Sequence, residues 1–150
     1  MGMKRTAVEA WEALFRAQVS IMRDISAAFP SDVMSVAEYD VLFNLTRLPG
    51  RHARQRDLTK RLLLSQPSVS RMIDRLAARG WVEKSEAPDD ARGTIVTITD
   101  DGFRRFREVA VAHAAAIAER FDGILSPEEL ELLASLCDRL RTGGPNAAAD

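Results

Sequence analysis

The apolar pattern of this sequence changes its period directly after Gly80, and this change constrains the fold more than any other feature. Upstream, four apolar residues of the segment 66–79 recur at the spacing of one helix face. Downstream, the segments 81–84 and 94–98 are rich in β-branched residues, which favours two strands. The turn-forming stretch 87–93 between them predicts a hairpin with a charged tip.

Two further helices are predicted ahead of this unit. Ser35 is followed three residues later by Glu38, which is a capping box and marks a helix start. A short helix is expected over about 55–63, and Pro67 suits the first turn of the helix after it. The order helix, short helix, turn, helix, hairpin is typical of a winged helix-turn-helix, here over residues 35–99.

Charge is distributed unevenly along the chain although the formal net charge is only −1. Residues 51–92 hold ten Lys/Arg and six Asp/Glu, a net charge of +4. The flanking segments 1–50 and 93–150 carry net charges of −1 and −4. A basic region between acidic ends is typical of a surface that contacts phosphates, and charge alone also fits a merely solvated face.

The exposed face of the helix at about 66–79, the recognition helix of this motif, suits the DNA major groove. Its side chains are short near the N-terminus, which lets the backbone approach DNA, and arginines follow. An arginine fork can bond to a guanine edge or to a phosphate. The pattern therefore predicts DNA contacts from Gln66, Pro67, Ser68, Ser70, Arg71 and Arg75.

Basic residues outside this helix extend the predicted DNA surface. Arg92 lies in the hairpin at about 81–98, the wing, and is predicted to enter the minor groove. Asp90 beside it is expected to brace an arginine, because a carboxylate repels phosphate. Arg54, Lys60 and Arg61 are candidates for contacts to the phosphate backbone.

Long amphipathic helices are predicted at both ends of the chain, one over 6–30 and two within 102–141. A flexible tail is predicted at 142–150. The apolar stripes of these helices are wider than one small winged domain can cover. Pairing two copies would bury them in a helical dimerisation domain, whereas the alternative is an ordinary monomeric core. The predicted fold class is therefore mainly α with a small β-wing.

The order and spacing of several short motifs resemble those of the MarR family, the multiple-antibiotic-resistance type of bacterial transcriptional regulator. The resemblance covers about residues 11–140 and is strongest at 54–71. Thr59, Leu63, Ala91 and Gly93 depart from the family pattern, so the turn after the short helix is tighter or shifted and the wing tip is lighter. The motifs are 54–62, 64–71, Asp74-Arg75-Leu76, 79–84, the pair Asp90 and Arg92, and Thr99-Asp100-Asp101-Gly102.

This resemblance implies a homodimeric DNA-binding regulator, most often a repressor, acting on a pseudo-palindromic operator in double-stranded DNA. It also implies that a small aromatic or phenolic effector binds between the dimer helices and the winged domains. No cofactor is implied. A cytoplasmic location is expected, since the sequence has no secretory signal at its start and no run of 18 apolar residues.

Four residues invite other functions. His52 and His113 are far apart and lack metal-ligand spacing, so no metal site is predicted. His113 is expected to be a satisfied dimer-core histidine and Trp11 a core residue, with lining of a ligand pocket as the alternative for both. Cys137 shares a helix face with leucines, which predicts a buried structural thiol rather than an oxidant sensor.

Two other classes of function are alternatives to DNA binding. A winged helix can act as a protein-interaction module that ignores DNA, but the arginines at 71, 75 and 92 argue against this, since docking helices more often present apolar grooves or stripes. An enzyme is disfavoured because no paired acid–base or nucleophile constellation is present.

Overall fold

The computed structural model describes residues 5–62 and 65–143. Within these ranges, six α-helices surround a small antiparallel sheet, in agreement with the predicted mainly α class. The elements are α1 (Ala7–Ala27), α2 (Val36–Thr46), a 3-10 turn (Pro49–Arg51), β1 (His52–Arg54), α3 (Gln55–Arg61), α4 (Gln66–Ala78), β2 (Val82–Ala87), β3 (Asp90–Ile98), α5 (Asp100–Phe121) and α6 (Pro127–Thr142).

The sheet has the strand order β1-β3-β2, with both pairings antiparallel. Strand β1 was not predicted, because its three residues are too few to establish an alternating pattern and they pair only with the edge of β3. Arg54 lies opposite Ile95 in this pairing, so the start of α3 is tied to the wing.

The β2–β3 hairpin is longer than the sequence predicted. Its strands pair as far as Ala87 and Asp90, so the predicted turn stretch 87–93 shrinks to the two residues Pro88 and Asp89. The register shifts by three residues between Glu86, which pairs with Thr94, and Ala87, which pairs with Asp90, so residues 91–93 of β3 have no paired partner in β2 and pairing resumes at the tip.

Helix boundaries follow the capping signals of the sequence. Ser35 and Glu38 form the predicted capping box, with the Glu38 N–H donating to Ser35 Oγ at 3.1 Å. Thr99 caps α5 by accepting from the Gly102 N–H at 3.0 Å. A Cβ at Gly102 would lie only 2.0 Å from the Trp81 carbonyl oxygen. Glycine is therefore required at this position of α5, where the helix packs against the segment between α4 and β2.

One apolar core joins α2, α3, α4 and the sheet to the N-terminal half of α5. Its central side chains are almost fully buried, which is typical of a close-packed interior. These side chains are Met34, Val41, Leu42, Leu45, Leu58, Val69, Ile73, Leu76, Val96 and Val109.

The terminal helices α1 and α6 leave their apolar faces exposed. Helix α6 contributes no buried residue. Trp11 is 60% exposed, so its prediction as a core residue is wrong for the single chain. Cys137 is also exposed, which contradicts the predicted buried thiol, because nothing in the described chain covers this face of α6. The other large exposed apolar side chains of the two helices are Val8, Phe15, Val19, Met22, Leu130, Leu132, Leu133, Leu136 and Leu140.

Two predictions fall partly or wholly outside the described residues. Leu63, one of the departures from the family pattern, lies outside them, as do residues 144–150 of the predicted tail. Helix α6 extends one residue into that tail, and Gly143 ends it in the left-handed conformation at φ 69°. None of the helices in the described ranges is long and apolar enough to cross a membrane.

Candidate nucleic-acid interface

Helix α4 divides into a buried face and a charged face, as its periodicity predicted. Val69, Ile73 and Leu76 are fully buried, and Met72 is 6% exposed. These four side chains fix the rotation of the helix about its axis, because turning it would expose them. The opposite face, which reaches solvent, contains Pro67, Arg71, Asp74, Arg75 and Ala78.

The N-terminal turn of α4 carries the short polar side chains. Ser65 is the N-cap, and its hydroxyl donates to Ser68 Oγ at 2.9 Å rather than capping the backbone. Arg71 Nη2 lies 3.5 Å from Ser68 Oγ, which directs the guanidinium toward this end of the helix. Ser68 and Ser70 are half-buried, Pro67 is exposed, and Gln66 is the first helical residue.

Arg79 anchors the C-terminal end of α4, a role that the sequence did not predict. Its guanidinium lies 3.6 Å above the Trp81 ring and donates to Glu38 Oε2 at 3.2 Å and to the Val33 carbonyl at 2.8 Å. The same Glu38 oxygen accepts from the Ser35 N–H at 2.9 Å. One side chain therefore joins α4 to the start of α2, and the only sequence signal was the capping box.

The wing places Arg92 on an exposed part of β3, four residues beyond Pro88 of the turn. The Asp90 carboxylate accepts from the Arg92 backbone N–H at 3.0 Å, so it fixes the backbone of that residue. Asp90 thus braces an arginine as predicted, but through the Arg92 backbone, and the ion pair with an arginine side chain is formed by the neighbouring Asp89, with Arg54.

The three predicted phosphate-contact residues have different surroundings. Arg54 is paired with Asp89, and its side chain is only 23% exposed. Lys60 is exposed and 3.8 Å from the Asp57 carboxylate of its own helix, while Arg61 is exposed as well. Lys60 and Arg61 line a cleft of about 850 Å³ on the side of α3 that faces β1, which also includes Arg54.

Electrostatically, the exposed face of α4 keeps most of its positive charge. Lys84 of β2 forms an ion pair with Asp74 and so compensates the carboxylate on this face. Among the residues that the structure describes, neither Arg71 nor Arg75 forms an ion pair within 4.0 Å. Their charges are therefore available to an external anion.

The two predicted pocket residues are not brought into one site. Trp11 lines an open groove of about 600 Å³ along α1, together with Phe15 and Val19. His113 instead packs edge-on against Phe29 and Tyr39, at ring-centroid distances of 5.2 and 5.0 Å. His113 is thus a residue of the α1–α2–α5 junction rather than of the Trp11 groove.

His113 is not the satisfied histidine that the sequence predicted. Its Nδ1 atom is buried and has no hydrogen-bond partner among the described residues, because aromatic rings surround it. Burial lowers the pKa of His113 and raises that of Tyr39, since each charged form would lose its hydration. The described residues contain no cluster of three or more His, Cys, Asp or Glu side chains that could hold a metal ion.

Comparison with known proteins gives one consistent result. The model of the MarR family matches residues 34–93, the segment that contains α4 and the tip of the wing. The HTH-type transcriptional regulator PecS of Dickeya dadantii is 28% identical over 131 residues, which are 85% of this chain and 76% of PecS. Residues 34–93 of this chain therefore match the MarR family, and the chain is similar to PecS over most of its length.

Solved structures of MarR-family regulators extend this agreement to the terminal helices. Sco3205 of Streptomyces coelicolor, solved in complex with DNA, is 25% identical with a TM-score of 0.78, covering 100% of this chain and 96% of Sco3205. BpsR of Bordetella bronchiseptica is 26% identical with a TM-score of 0.74, covering 88% of this chain and 98% of BpsR. The protein is thus a winged-helix, DNA-binding transcriptional regulator, as its motifs predicted.

Proposed function

We propose that this regulator is a ligand-responsive repressor that binds a pseudo-palindromic DNA site in the cytoplasm as a homodimer. The division of α4 carries this proposal. Its apolar face is locked into the core, so Arg71 and Arg75 are held on a rigid exposed face. A rigid helix with exposed arginines and short side chains at its N-terminus meets the requirements of the major groove.

Each basic residue has a proposed role that follows from its place. Arg71 contacts a base edge, because it projects from the exposed face one turn into α4. Lys60 contacts the phosphate backbone from α3, which precedes the recognition helix and crosses the backbone in this motif. Arg92 enters the minor groove from the wing. Backbone or groove contacts are also proposed for Arg61, Gln66, Pro67, Ser68, Ser70 and Arg75.

The exposed apolar faces of α1 and α6 support the homodimer. Leu133 and Leu136 of α6 are 38% and 42% exposed, and Phe15 of α1 is 53% exposed. Exposed apolar helix faces of this kind mark an interaction site, and a second copy of the chain supplies matching faces. Pairing through these helices would place one recognition helix on each half-site, with the half-sites about one helical turn apart, roughly 10 base pairs.

A small aromatic acid is the proposed effector class. Regulation of DNA binding by 6-hydroxynicotinic acid is described for BpsR, to which this chain is similar over most of its length. In this chain, the α1–α2–α5 junction offers aromatic rings and the unpartnered His113 Nδ1, which suit a planar ligand with a polar group. Binding at this junction would shift the separation of the two recognition helices.

A gel-shift assay with the DNA upstream of the chain's own coding region tests the proposal. We expect a shifted band with wild-type protein, and weaker binding when 6-hydroxynicotinic or another aromatic acid is titrated in. Absence of binding to this and to randomised DNA would contradict DNA reading and favour the protein-interaction alternative. Binding that no aromatic acid weakens would remove only the effector from the proposal.

A further inference from the structure

The contacts of Arg54 are not explained by a role in binding phosphate. Arg54 is the last residue of β1 and the N-cap of α3, and its side chain makes no cap hydrogen bond. Its guanidinium instead reaches the turn of the wing and pairs with the carboxylate of Asp89. This ion pair joins two segments that lie 35 positions apart in the sequence.

Further contacts show that the wing closes around this guanidinium. A Cβ at Gly93 would lie 3.3 Å from Arg54 Nη1 and 3.0 Å from the Ala87 Cβ, so β3 passes close to the arginine where it has no side chain. The hydrogen bond from Arg54 is the largest cause of the lowered pKa of Asp89, and Arg56 adds a smaller contribution. Asp89 therefore stays charged and paired at neutral pH.

The pair stands next to the backbone that presents Arg92. Asp89 is the second residue of the two-residue turn, and Asp90, which follows it, accepts from the Arg92 N–H at 3.0 Å. A cleft of about 180 Å³, lined by Arg54 and Arg92 among others, separates the start of α3 from the wing. The ion pair spans this gap at the turn.

We propose that Arg54 is a positioning residue of the wing, which holds the hairpin tip through Asp89 so that Arg92 is presented at a fixed distance from α3. Arg54 is then not one of the phosphate contacts that the basic pattern suggested. This inference rests on the proposed DNA binding, and it adds a residue that acts on DNA only through another.

The two roles for Arg54 predict opposite results when Asp89 is removed. If Arg54 positions the wing, Asp89→Ala releases the tip, and the preference for A·T-rich flanks weakens about two- to fivefold, as expected for loss of an exposed ion pair. If Arg54 binds phosphate, Asp89→Ala frees its guanidinium and removes a repelling charge, so binding becomes tighter on every sequence.

The experiment measures binding by fluorescence anisotropy on two DNA duplexes that differ only in flank composition, at two salt concentrations. Glu86→Ala is the matched control, since it removes one carboxylate from the same hairpin and Glu86 has no ion pair among the described residues. Asp89→Ala is expected to lose flank preference relative to this control, whereas Asp89→Glu, which keeps the carboxylate, retains it.

Arg54→Ala provides the second readout. We expect it to lose flank preference by the same factor with an unchanged salt slope, and the double variant Arg54→Ala/Asp89→Ala to be no worse than either single one. A salt slope reduced by about one unit with flank preference intact would overturn the proposal and restore a phosphate contact. Failure of the wild-type protein to bind any DNA would instead contradict the proposed function.

Discussion

The winged segment and the terminal helices of this protein differ in what happens to their apolar side chains. In the winged segment, residues such as Leu42, Leu58 and Leu76 are fully buried within one chain. In α6, Leu132 and Leu140 are 58% and 71% exposed, and the helix buries no residue. The first region completes its core within a single chain, together with the N-terminal half of α5, whereas the apolar faces of the terminal helices stay exposed.

This difference assigns DNA reading and assembly to different parts of the chain. A self-contained core holds α4 rigidly, so its exposed arginines depend on intrachain packing. The apolar faces of α1 and α6 gain stabilisation only when something covers them, and burial of apolar surface stabilises by about 25 cal/mol per Å². We therefore expect substitutions in the winged segment to change stability and DNA reading, and substitutions in α6 to change assembly.

The largest effect is expected from charges placed on the α6 leucine face. Leu133→Asp combined with Leu136→Asp should abolish dimerisation, because unpaired carboxylates in an apolar interface are strongly unfavourable. DNA affinity should then fall by at least about a hundredfold, since a monomer reaches one half-site only. Ser135→Asp, which adds a single carboxylate to the opposite side of α6, should bind DNA normally. Equal loss in the two variants would contradict dimerisation through this face.

A cavity in the winged core should lower stability without changing assembly. Leu76→Ala is expected to lower the free energy of unfolding by about 2–5 kcal/mol, because the side chain is fully buried. Chemical denaturation measures this loss, and the dimer dissociation constant of the folded variant should stay unchanged. Leu133→Ala should instead raise that dissociation constant. A dimer weakened more by Leu76→Ala than by Leu133→Ala would show that the two regions are not separate.

Within the DNA-binding surface, substitutions should distinguish a residue that reads a base from a residue that contacts the DNA backbone. Arg71→Ala is expected to cost about 1–3 kcal/mol of binding and to relax preference at one position of each half-site. Lys60→Ala should weaken binding to all sequences about equally and reduce the salt slope by roughly one unit for each lost contact. Selection from a randomised operator at two salt concentrations measures both. A changed preferred sequence for Lys60→Ala, with an unchanged one for Arg71→Ala, would reverse these roles.

The smallest effect concerns pH and the His113 junction. Burial lowers the pKa of His113 below its ordinary 6.5, so the unfolded chain binds this proton more tightly than the folded chain. Stability should therefore fall as pH drops from 6.5 toward the lowered pKa, and level off below it. Urea unfolding at several pH values should show a shallower decline for His113→Gln than for the wild type. Equal declines would mean that this histidine does not contribute.

Most of the fold was predictable, because it depends on local signals. The apolar spacing in α4 and the capping residues Ser35 and Thr99 set helices that the structure confirms. Strand β1 was not predictable, since three residues are too few to show a pattern and form a strand only by pairing with β3. The full length of the hairpin was not predictable either, since it depends on a register shift between β2 and β3. Trp11 and Cys137 were misplaced because an amphipathic pattern marks an apolar face without showing what covers it.

The residues of the site were predictable from the sequence, whereas the contacts between their side chains were less so. The exposure of Arg71, Arg75 and Arg92 followed from helix periodicity and the hairpin. The ion pair of Arg54 with Asp89, and the bond of Asp90 to the Arg92 backbone, did not follow, because they depend on where each carboxylate lies at the turn. Long-range contacts of this kind leave no mark in sequence spacing.

Sedimentation equilibrium of the wild-type protein tests most directly whether its terminal helices complete themselves with a second copy. At micromolar concentration we expect a mass twice that of the 16.6 kDa chain, and two chains on each DNA duplex that carries both half-sites. A stable 16.6 kDa species across the same concentrations, with one chain bound per duplex, would contradict the homodimer.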